Sequence, residues 1–382
     1  MRILISGGGT GGHIYPALAV ARELQTRYHA EILYLGDANG LETQIVPTAG
    51  LPMATITAGK LRRYLSLRTF TDIGRVPVGM VQALRHVQRF QPDAAFTSGG
   101  YVSVPAGLAA RIEGAPLVMH QSDVPPNLAN RLLTPFASRI SVSFSDSLRY
   151  FPRRRTALAG NPVREEILAM VGADAAALKR SLGFSPDLPL LLVTGGSQGA
   201  RHLNQVVVAA LPELLMRCQV LHVSGKLTHD ETSRAAAHQV APLPALAARY
   251  KLYPYLNEEM PAALAASDVA LCRSGASTLT ELAALGLPSV LVPLPPGFTG
   301  SPQTVNAQMF RRAGAAEMVL DRDLTPDTLG AALYPLLDNA PRRALMASAT
   351  RTLAHPNAAA TIAEAVAALA QRTQRRRKQA GG

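Results

Sequence analysis

The chain has 382 residues, 48% of them apolar and 17% charged, so it can bury two full cores and is not a disordered protein. With only two cysteines the chain has no disulfide framework and no cysteine-rich metal site, and this low count indicates a reduced, cytoplasmic protein. No signal peptide or membrane span is expected, because glycines arrive at position 7 and no apolar run approaches about 20 residues.

The formal net charge of +12 is unevenly distributed. Residues 1–160 carry 17 Lys and Arg against 9 Asp and Glu, residues 161–370 are nearly neutral, and residues 371–382 carry five basic residues and no acidic one. Such a tail fits a nucleic-acid binder, a protein that touches an anionic membrane, or a solvated tail without a partner. The sequence counts against nucleic acid, because the tail is short and lacks interleaved aromatic residues.

Short apolar runs alternate with helical patterns along the whole chain. The runs predict buried strands at Arg2–Ser6, Glu31–Leu35, Ala94–Thr97, Leu117–His120, Ile140–Ser143, Leu190–Thr194, Val220–Ser224, Val269–Cys272 and Ser289–Val292. The helical patterns include Pro16–Arg27, Val104–Arg111, Leu203–Leu215 and Thr278–Leu285, with Pro16 in a first helical position and Gly286 just past a helix end. The alternation predicts an α/β fold of two Rossmann-like domains, whose parallel sheets face a cleft.

The domain boundary is expected where Gly160 and Pro162 interrupt the periodicity and the charge balance changes. Residues 1–160 then form the first domain, and residues 161–356 form the second. The C-terminal helix, about 357–370, is expected to pack back on the first domain. The basic tail, 371–382, is expected to be disordered.

Six small residues, Gly7–Gly12, follow the first predicted strand and lead into a helix. A strand that turns on glycines into a helix presents free N–H groups and the positive end of a helix dipole, which suits an anion. Gly7, Gly9 and Gly12 also fit the dinucleotide spacing G-x-G-x-x-G, which calls for an acidic residue at the end of the second strand. Asp37 stands near that place, so a nicotinamide oxidoreductase stays open.

His13 lies where this loop enters the helix. Because a helix N-terminus disfavours an imidazolium, a neutral imidazole that accepts a proton fits the position, and so does a structural histidine. Asp123 and Asn127 lie in a loop after a later strand, where ligand contact and turn chemistry are equally good explanations.

Two further turns at strand ends resemble anion sites. In Gly195–Ala200, Ser197 suits a phosphate contact or a helix cap. In the turn after Cys272, Gly275 bends the chain and Ser277 or Thr278 starts a helix, whose N–H groups and hydroxyls suit a diphosphate without any metal. Glu281, about one turn further, suits either a cap or a ribose diol.

A basic segment precedes an apolar one between residues 60 and 81. The basic residues are Lys60, Arg62, Arg63, Arg68 and Arg75, and the apolar ones are Val76, Val78, Met80 and Val81. This order fits a surface that docks on a membrane, and it fits equally a surface loop followed by a helix that faces its own core.

Six motifs, in order over roughly 300 residues, resemble those of the MurG glycosyltransferases of bacterial cell-wall synthesis. They are Gly8–His13, Ser98–Tyr101, Gly160–Arg164, Gly195–Ala200, Cys272–Ala276 and Gln303–Asn306. The resemblance implies a GT-B fold and transfer of N-acetylglucosamine from its uridine diphosphate donor (UDP-GlcNAc) to the 4-hydroxyl of the muramoyl sugar in lipid I. In that fold, residues 1–160 form the domain on the acceptor and membrane side, and residues 161–356 form the domain that binds the UDP-sugar. The resemblance also implies a peripheral protein on the cytoplasmic face of the membrane, with no cofactor. No obligate metal is expected, because an Asp-x-Asp metal motif is not expected in the chain.

The resemblance further implies the roles of individual residues. It identifies His13 as the general base and places UDP-GlcNAc contacts at Thr10, Gly11, Gly12, Arg164, Ser197, Leu256, Ala276, Ser277, Thr278, Leu279, Thr280, Glu281 and Gln303. The chain departs from the family at two places: it reads Gln121–Asp123 where many members read Glu-Gln-Asn, and Pro302 replaces the glutamine or histidine of some relatives. A related GT-B transferase with another lipid or natural-product acceptor is the alternative.

Overall fold

The computed structural model describes residues 1–59, 67–196, 198–295 and 303–380 of the chain. Contacts divide the chain into two units, Met1–Arg164 with His355–Gly382 and Glu165–Ala354. The division follows Arg164, four residues after the boundary expected from the sequence, and it assigns the C-terminal helix to the first unit.

The first unit is built on a seven-stranded parallel sheet with the order β3-β2-β1-β4-β5-β6-β7. Its strands are β1 (Arg2–Ser6), β2 (Glu31–Asp37), β3 (Met53–Ile56), β4 (Ala94–Thr97), β5 (Leu117–Gln121), β6 (Arg139–Val142) and β7 (Thr156–Leu158). Its helices are α1 (Gly11–Tyr28), α2 (Glu42–Thr48), α3 (Leu67–Phe90), α4 (Ser103–Ile112) and α5 (Leu128–Leu133). The predicted central strands are confirmed, and β3 and β7 at the two edges were missed.

Both faces of this sheet are buried. Ile3 and Ile5 of β1 pack with α1 on one face, whereas Leu4 packs with α3 and α4 on the other. Successive side chains of a strand point to opposite faces, so a strand that is covered on both sides reads as an unbroken apolar run. This burial explains why β1 stands out in the sequence.

The second unit has a six-stranded parallel sheet with the order β10-β9-β8-β11-β12-β13. Its strands are β8 (Leu190–Thr194), β9 (Gln219–Val223), β10 (Tyr250–Tyr253), β11 (Val269–Cys272), β12 (Ser289–Leu291) and β13 (Ala316–Met318). Its helices are α6 (Glu165–Leu168), α7 (Ala175–Ser181), α8 (Arg201–Arg217), α9 (His229–Val240), α10 (Met260–Ala266), α11 (Ala276–Leu285), α12 (Gln303–Arg312), α13 (Pro326–Leu337) and α14 (Ala340–Arg351). The predicted central strands are again confirmed.

Two predictions about helix ends have different outcomes. Gly286 ends α11 in the left-handed conformation, with φ +66°, as the sequence predicts. Pro16 is not a first helical residue, because α1 begins five residues earlier, at Gly11. The glycines are therefore part of the helix as well as of the loop before it.

The C-terminal helix α15 (Ala358–Ala380) corrects the prediction of a disordered tail. Its apolar face, with Ile362, Val366 and Ala370, packs in the core that contains α1. Its basic end is fixed by Asp93, whose carboxylate accepts hydrogen bonds from Gln374 Nε2 at 2.7 Å and Arg377 Nη1 at 3.1 Å. The helix continues because Arg377 is paired with the buried carboxylate of Asp93, and because basic side chains near a helix C-terminus are stabilised by the negative end of the helix dipole.

We expect Asp93→Ala to lower the stability of the first unit by on the order of 2–3 kcal/mol. Asp93 is 4% exposed and also accepts from the Arg2 N–H at 2.8 Å, so the substitution leaves that partly buried donor without this partner. Urea unfolding measures the loss, and Asp187→Ala, at an exposed aspartate, is the control. Equal stability of the two variants would contradict this role of Asp93.

Candidate active site

Two glycine loops interlock at the carboxyl ends of β1 and β4. The Gly8 N–H donates to the Gly99 carbonyl at 3.2 Å, and a Cβ atom on Gly100 would overlap the Gly8 carbonyl oxygen. Gly99 and Gly100 have φ of +110° and +86°, where a side chain is strained. The motif Ser98–Tyr101 therefore shapes the first glycine loop.

His13 is the third residue of α1, and Ser98 holds it by two hydrogen bonds. His13 Nδ1 lies 3.0 Å from the Ser98 carbonyl oxygen, and the Ser98 hydroxyl donates to the His13 carbonyl at 2.6 Å. Because a carbonyl oxygen can only accept, the proton of the neutral ring is on Nδ1, and Nε2 carries the lone pair. This tautomer is the one that a general base acting through Nε2 requires.

Burial keeps the imidazole of His13 neutral. Burial lowers its pKa below the ordinary value of 6.5, and Asp123, the Ser98 carbonyl and Glu42 oppose this shift without reversing it. Desolvation disfavours the charged ring, so His13 is a proton acceptor at neutral pH. The carboxylates of Asp123 and Glu42 would stabilise the imidazolium that forms when it takes up a proton.

A second histidine, His120, is fully buried in a polar network and is near enough to His13 for the charge of His13 to act on it. Its Nδ1 is 3.0 Å from Ser141 Oγ, and its Nε2 is 3.0 Å from Asn161 Oδ1 and 3.2 Å from Ser143 Oγ. Burial lowers the pKa of His120 to about 4. Asn161 comes from the motif Gly160–Arg164, so part of that motif supports the network rather than a ligand.

Asp123 and Asn127 lie in one loop, for which the sequence leaves ligand contact and turn chemistry open. The structure gives a different answer for each residue. Asn127 caps α5, since its side chain accepts from the Asn130 N–H at 2.9 Å, and turn chemistry therefore accounts for it. Asp123 is half-buried and acts on the charge of His13. The departure from the family at Gln121–Asp123 thus keeps a carboxylate near the histidine.

Four predicted ligand residues lie at the start of α1 or beside it. Thr10 is exposed at the N-cap position, and its hydroxyl makes no capping bond, while Gly11 and Gly12 begin the helix. The Arg164 guanidinium carbon lies 5.3 Å from the centre of the Tyr15 ring, one turn along the same helix. The structure therefore places a cation next to a helix N-terminus, a combination that favours an anion.

Asp37 is not placed as a ribose ligand. It ends β2, is 4% exposed, and accepts from the Tyr101 hydroxyl at 2.5 Å and from the Ala58 N–H at 3.3 Å. An acidic residue that reads a ribose diol would use these same carboxylate oxygens for the ligand. The arrangement counts against the oxidoreductase alternative.

In the second unit, the loops after β8 and β9 interlock in a similar way. A Cβ atom on Gly199 would overlap the Ser224 carbonyl oxygen, and one on Gly225 would overlap the Gly199 nitrogen. Helix α8 follows, with Ala200 at its N-cap position. Ser197, predicted to contact a phosphate, lies outside the described residues.

The structure shows at which residue helix α11 begins in the predicted diphosphate site. Gly275 is the N-cap residue and Ala276 the first helical residue, so neither Ser277 nor Thr278 is the cap. Glu281 is the sixth helical residue, beyond the third helical position that a capping-box carboxylate occupies, so its place in the helix counts against the capping explanation. Ser277, Thr278 and Glu281 are all half-buried.

Leu279 and Thr280, for which ligand contacts stay predictions, also have partners within the helix. Leu279 is fully buried and its N–H donates to the Gly275 carbonyl at 3.0 Å, and the Thr280 hydroxyl donates to the Ala276 carbonyl at 3.0 Å. Arg273 likewise binds Asp321 Oδ1 at 2.5 Å and the Val292 carbonyl at 3.2 Å. These contacts hold the loop in shape.

Gln303 begins α12 and lies beside the start of α11. Its Oε1 accepts from the Leu294 N–H at 3.1 Å, and its carbonyl accepts from the Ser274 hydroxyl at 3.0 Å. Its Nε2 lies 3.5 Å from where a Cβ of Gly275 would be. The amide nitrogen of Gln303 is thus directed towards the N-terminus of α11. Pro302, the neighbouring departure from the family, lies outside the described residues.

Leu256 follows β10, at the same carboxyl edge of the sheet as the start of α11. The residue is 5% exposed, and its contact with the nucleotide stays a prediction.

The expectation that the chain lacks an Asp-x-Asp metal motif is wrong, because Asp321–Asp323 is such a triplet. The carboxylate of Asp321 is paired with Arg273, and Oδ2 of Asp321 lies 3.4 Å from His202 Nδ1. Within the described ranges, no group of three or more His, Cys, Asp or Glu side chains is placed to hold a metal ion.

The predicted membrane segment falls partly on α3. Val78 and Val81 are 50% and 49% exposed, whereas Met80 packs against the core with Ala83 and Val87. Lys60, Arg62 and Arg63 lie outside the described residues. No helix among the described residues is both long enough and apolar enough to cross a bilayer.

Sequence reasoning missed two contributors to this site. The carbonyl of Ser98 fixes the tautomer of His13, and Glu42, a fully buried carboxylate, bonds to the first glycine loop. Neither residue forms a local pattern with His13, because both are brought to it by other strands of the sheet.

Comparison with known proteins gives a consistent result over almost the whole chain. Residues 3–142 match the glycosyltransferase family 28 N-terminal domain, and residues 190–363 match the glycosyltransferase family 28 C-terminal domain. A protein of Desulforudis audaxviator is 39% identical over 97% of this chain and 99% of its own length, and one of Moorella thermoacetica is 38% identical over 96% and 98%. Both carry the name UDP-N-acetylglucosamine–N-acetylmuramyl-(pentapeptide) pyrophosphoryl-undecaprenol N-acetylglucosamine transferase.

Among solved structures, the chain is similar to MurG of Acinetobacter baumannii. The TM-score is 0.74 at 28% identity, with 96% of this chain and 98% of that chain covered. The similarity extends the comparison from sequence to fold, and the architecture is that of the GT-B glycosyltransferases.

Proposed function

Because this chain belongs to the MurG family of glycosyltransferases, we propose that it transfers N-acetylglucosamine from UDP-GlcNAc to the 4-hydroxyl of the muramoyl sugar of lipid I. The products are lipid II and UDP, in the synthesis of peptidoglycan. The observation that carries the proposal is the identity of 39% with a transferase of that name over nearly the full length of both chains.

The reaction is a displacement at the anomeric carbon of the donor sugar. The 4-hydroxyl of the acceptor gives its proton to Nε2 of His13, and its oxygen forms the new bond to the anomeric carbon. The bond from that carbon to the diphosphate oxygen breaks, and UDP leaves with the electron pair. Attack opposite the leaving group inverts the anomeric centre and gives a β-linkage.

Charge develops on the diphosphate as that bond breaks. The N–H groups at the start of α11 and the hydroxyls of Ser277 and Thr278 stabilise it, since fixed dipoles aimed at a developing charge lower the barrier. Glu281 accepts from the ribose diol, and the backbone at Leu256 contacts uracil. Gln303 contacts the sugar through its amide nitrogen.

The first glycine loop supplies the second anion site. The resemblance to the family assigns contacts with the donor to Thr10, Gly11, Gly12 and Arg164. The same turn also suits the diphosphate of lipid I, because Arg164 and the helix N-terminus attract either anion.

Assay of purified protein with labelled UDP-GlcNAc and a lipid I analogue tests the proposal. We expect release of UDP that depends on the acceptor, and no release above the acceptor-free control would defeat the assignment. A related GT-B transferase with a different acceptor would show the opposite preference when other lipid and natural-product acceptors compete with the analogue.

We propose a peripheral location on the cytoplasmic face of the membrane, with anionic lipid as a partner and no nucleic acid. The support is the exposed pair Val78 and Val81 on α3, next to the basic residues that precede it in the sequence. Sedimentation with vesicles of anionic phospholipid, but not with vesicles of neutral phospholipid, is the expected behaviour.

Gln303→Ala is expected to raise the KM for UDP-GlcNAc about tenfold, which corresponds to one lost hydrogen bond to the donor sugar. Because the amide contacts the sugar rather than the nucleotide, inhibition by UDP alone should stay the same. Steady-state kinetics measures both quantities. Gln308→Ala, at an exposed residue of the same helix, is the control. A parallel loss of UDP affinity would show instead that the loop had moved.

A further inference from the structure

Glu42 is a charged residue in a place where charge is costly. It is the first residue of α2 and is completely buried. A carboxylate is seldom removed from water unless hydrogen bonds replace its hydration. Its partners therefore show what it is there to hold.

Both oxygens of Glu42 accept from the backbone. Oε2 accepts from the Gly9 N–H at 3.1 Å, and Oε1 accepts from the Asp37 N–H at 2.9 Å. Gly9 immediately precedes Thr10, the N-cap residue of the helix that carries His13. One carboxylate thus ties the first glycine loop to the end of β2.

Three glycines make the space for this side chain. A Cβ atom on Gly36 would lie 2.6 Å from Glu42 Cγ, and a Cβ on Gly8 or Gly40 would overlap the carboxylate itself. Gly36 and Gly40 have no part in anion binding, so this contact gives them a reason to be glycine. The slot fits a carboxylate closely, and it presents two donors to two acceptor oxygens.

The same carboxylate acts on the base through its charge. Its negative charge raises the pKa of His13, against the larger lowering caused by burial. Burial and, to a smaller extent, the charge of Glu42 raise the pKa of Tyr34, whose hydroxyl donates to the Gly7 carbonyl in the same loop. Glu42 therefore acts on His13 in two ways: its hydrogen bond holds the loop that precedes His13, and its charge raises the pKa of His13.

We propose that Glu42 is a positioning residue for glycosyl transfer, which holds the Gly7–Gly12 loop and hence His13 in place through the Gly9 N–H. The inference rests on the proposed function, since it assigns Glu42 to the base of that reaction. It adds a residue that contacts neither substrate and acts through the loop.

Glu42→Gln tests the proposal, because it keeps the size of the side chain but turns one acceptor into a donor that faces an N–H group. We expect kcat to fall at least tenfold, while the KM for UDP-GlcNAc changes less than about twofold. The acid limb of the kcat profile should move to lower pH, because the charge that raises the pKa of His13 is gone. Glu113→Gln, at an exposed glutamate paired with Gln88, is the control.

Glu42→Asp separates position from charge and serves if the glutamine variant does not fold. Aspartate keeps the charge but is one methylene too short to reach both N–H groups, so kcat should fall without a shift of the acid limb. Wild-type kcat in either folded variant would overturn the proposal, and so would an equal loss in kcat and donor affinity.

Hydrogen exchange of the peptide that covers residues 7–13 gives a readout that needs no turnover. Faster exchange there in Glu42→Gln, with unchanged exchange in the second unit, is expected. If the wild-type protein released no UDP, the proposed function would fail while this readout still decided whether Glu42 holds the loop. Unchanged exchange would overturn the positioning role even in an active enzyme.

Discussion

His13→Ala is expected to lower kcat by about 10²–10⁴-fold, the contribution usual for a positioned general base. The KM for UDP-GlcNAc should change little, because the proton that His13 accepts belongs to the other substrate. Steady-state release of UDP at saturating donor and acceptor measures the effect. His238→Ala, at an exposed histidine on α9, is the control and should keep wild-type kcat.

The pH profile makes this prediction sharper. Burial holds the pKa of His13 below 6.5, so the base stays neutral as the pH falls to that value, and kcat should drop only below it. The alanine variant should lose this acid limb together with its rate. Unchanged turnover in His13→Ala, or an acid limb that persists in the variant, would remove His13 from the mechanism.

The strands that the sequence predicts are the interior ones, and those it misses lie at the sheet edges. β3, β7, β10 and β13 are the four edge strands, and their side chains are mostly half-buried or exposed. A strand covered on both faces must be apolar throughout, whereas an edge strand is free to carry polar residues. The apolar runs in the sequence therefore predict the central strands of each sheet but not its edge strands.

The starts of α1 and α11 show a second limit of local patterns. Both helices begin earlier than expected, at Gly11 and Ala276, within turns of small residues that have weak helical preference. What fixes these turns lies far along the chain: Gly99 and Ser98 for the first, Gln303 and Asn306 for the second. Tertiary contacts of this kind leave no periodic signal in the sequence.

The candidate site was predictable where chemistry is local. A histidine at the entry to a helix, after glycines, indicates a neutral imidazole, and the structure adds the tautomer through the Ser98 carbonyl. Glu42 was not predictable, because a glutamate in an exposed-looking turn gives no sign that three glycines will enclose it. The tail was misjudged for a similar reason, since its partner Asp93 lies 284 residues away from Arg377.

Gly100→Ala is expected to lower kcat by about 10²-fold, the scale of a displacement of about 1 Å in a catalytic group. The added Cβ overlaps the Gly8 carbonyl oxygen, and its next neighbours, at 3.0 and 3.1 Å, are also backbone atoms of Gly8. No side-chain rotation can relieve such a collision, so the first glycine loop must move and take the start of α1 with it. Release of UDP measures the rate, and urea unfolding measures the accompanying loss of stability.

The matched control is Gly114→Ala. Gly114 has φ +79°, close to the +86° of Gly100, but nothing lies within 4 Å of where its Cβ would be. Both variants incur the cost of about 1–2 kcal/mol for a left-handed alanine, so the difference between them isolates the collision with Gly8. If the two variants kept the same kcat, the interlocked loops would not set the position of His13. A large difference in kcat, at stabilities that leave both proteins folded, is the result that the contact between Gly8 and Gly100 requires.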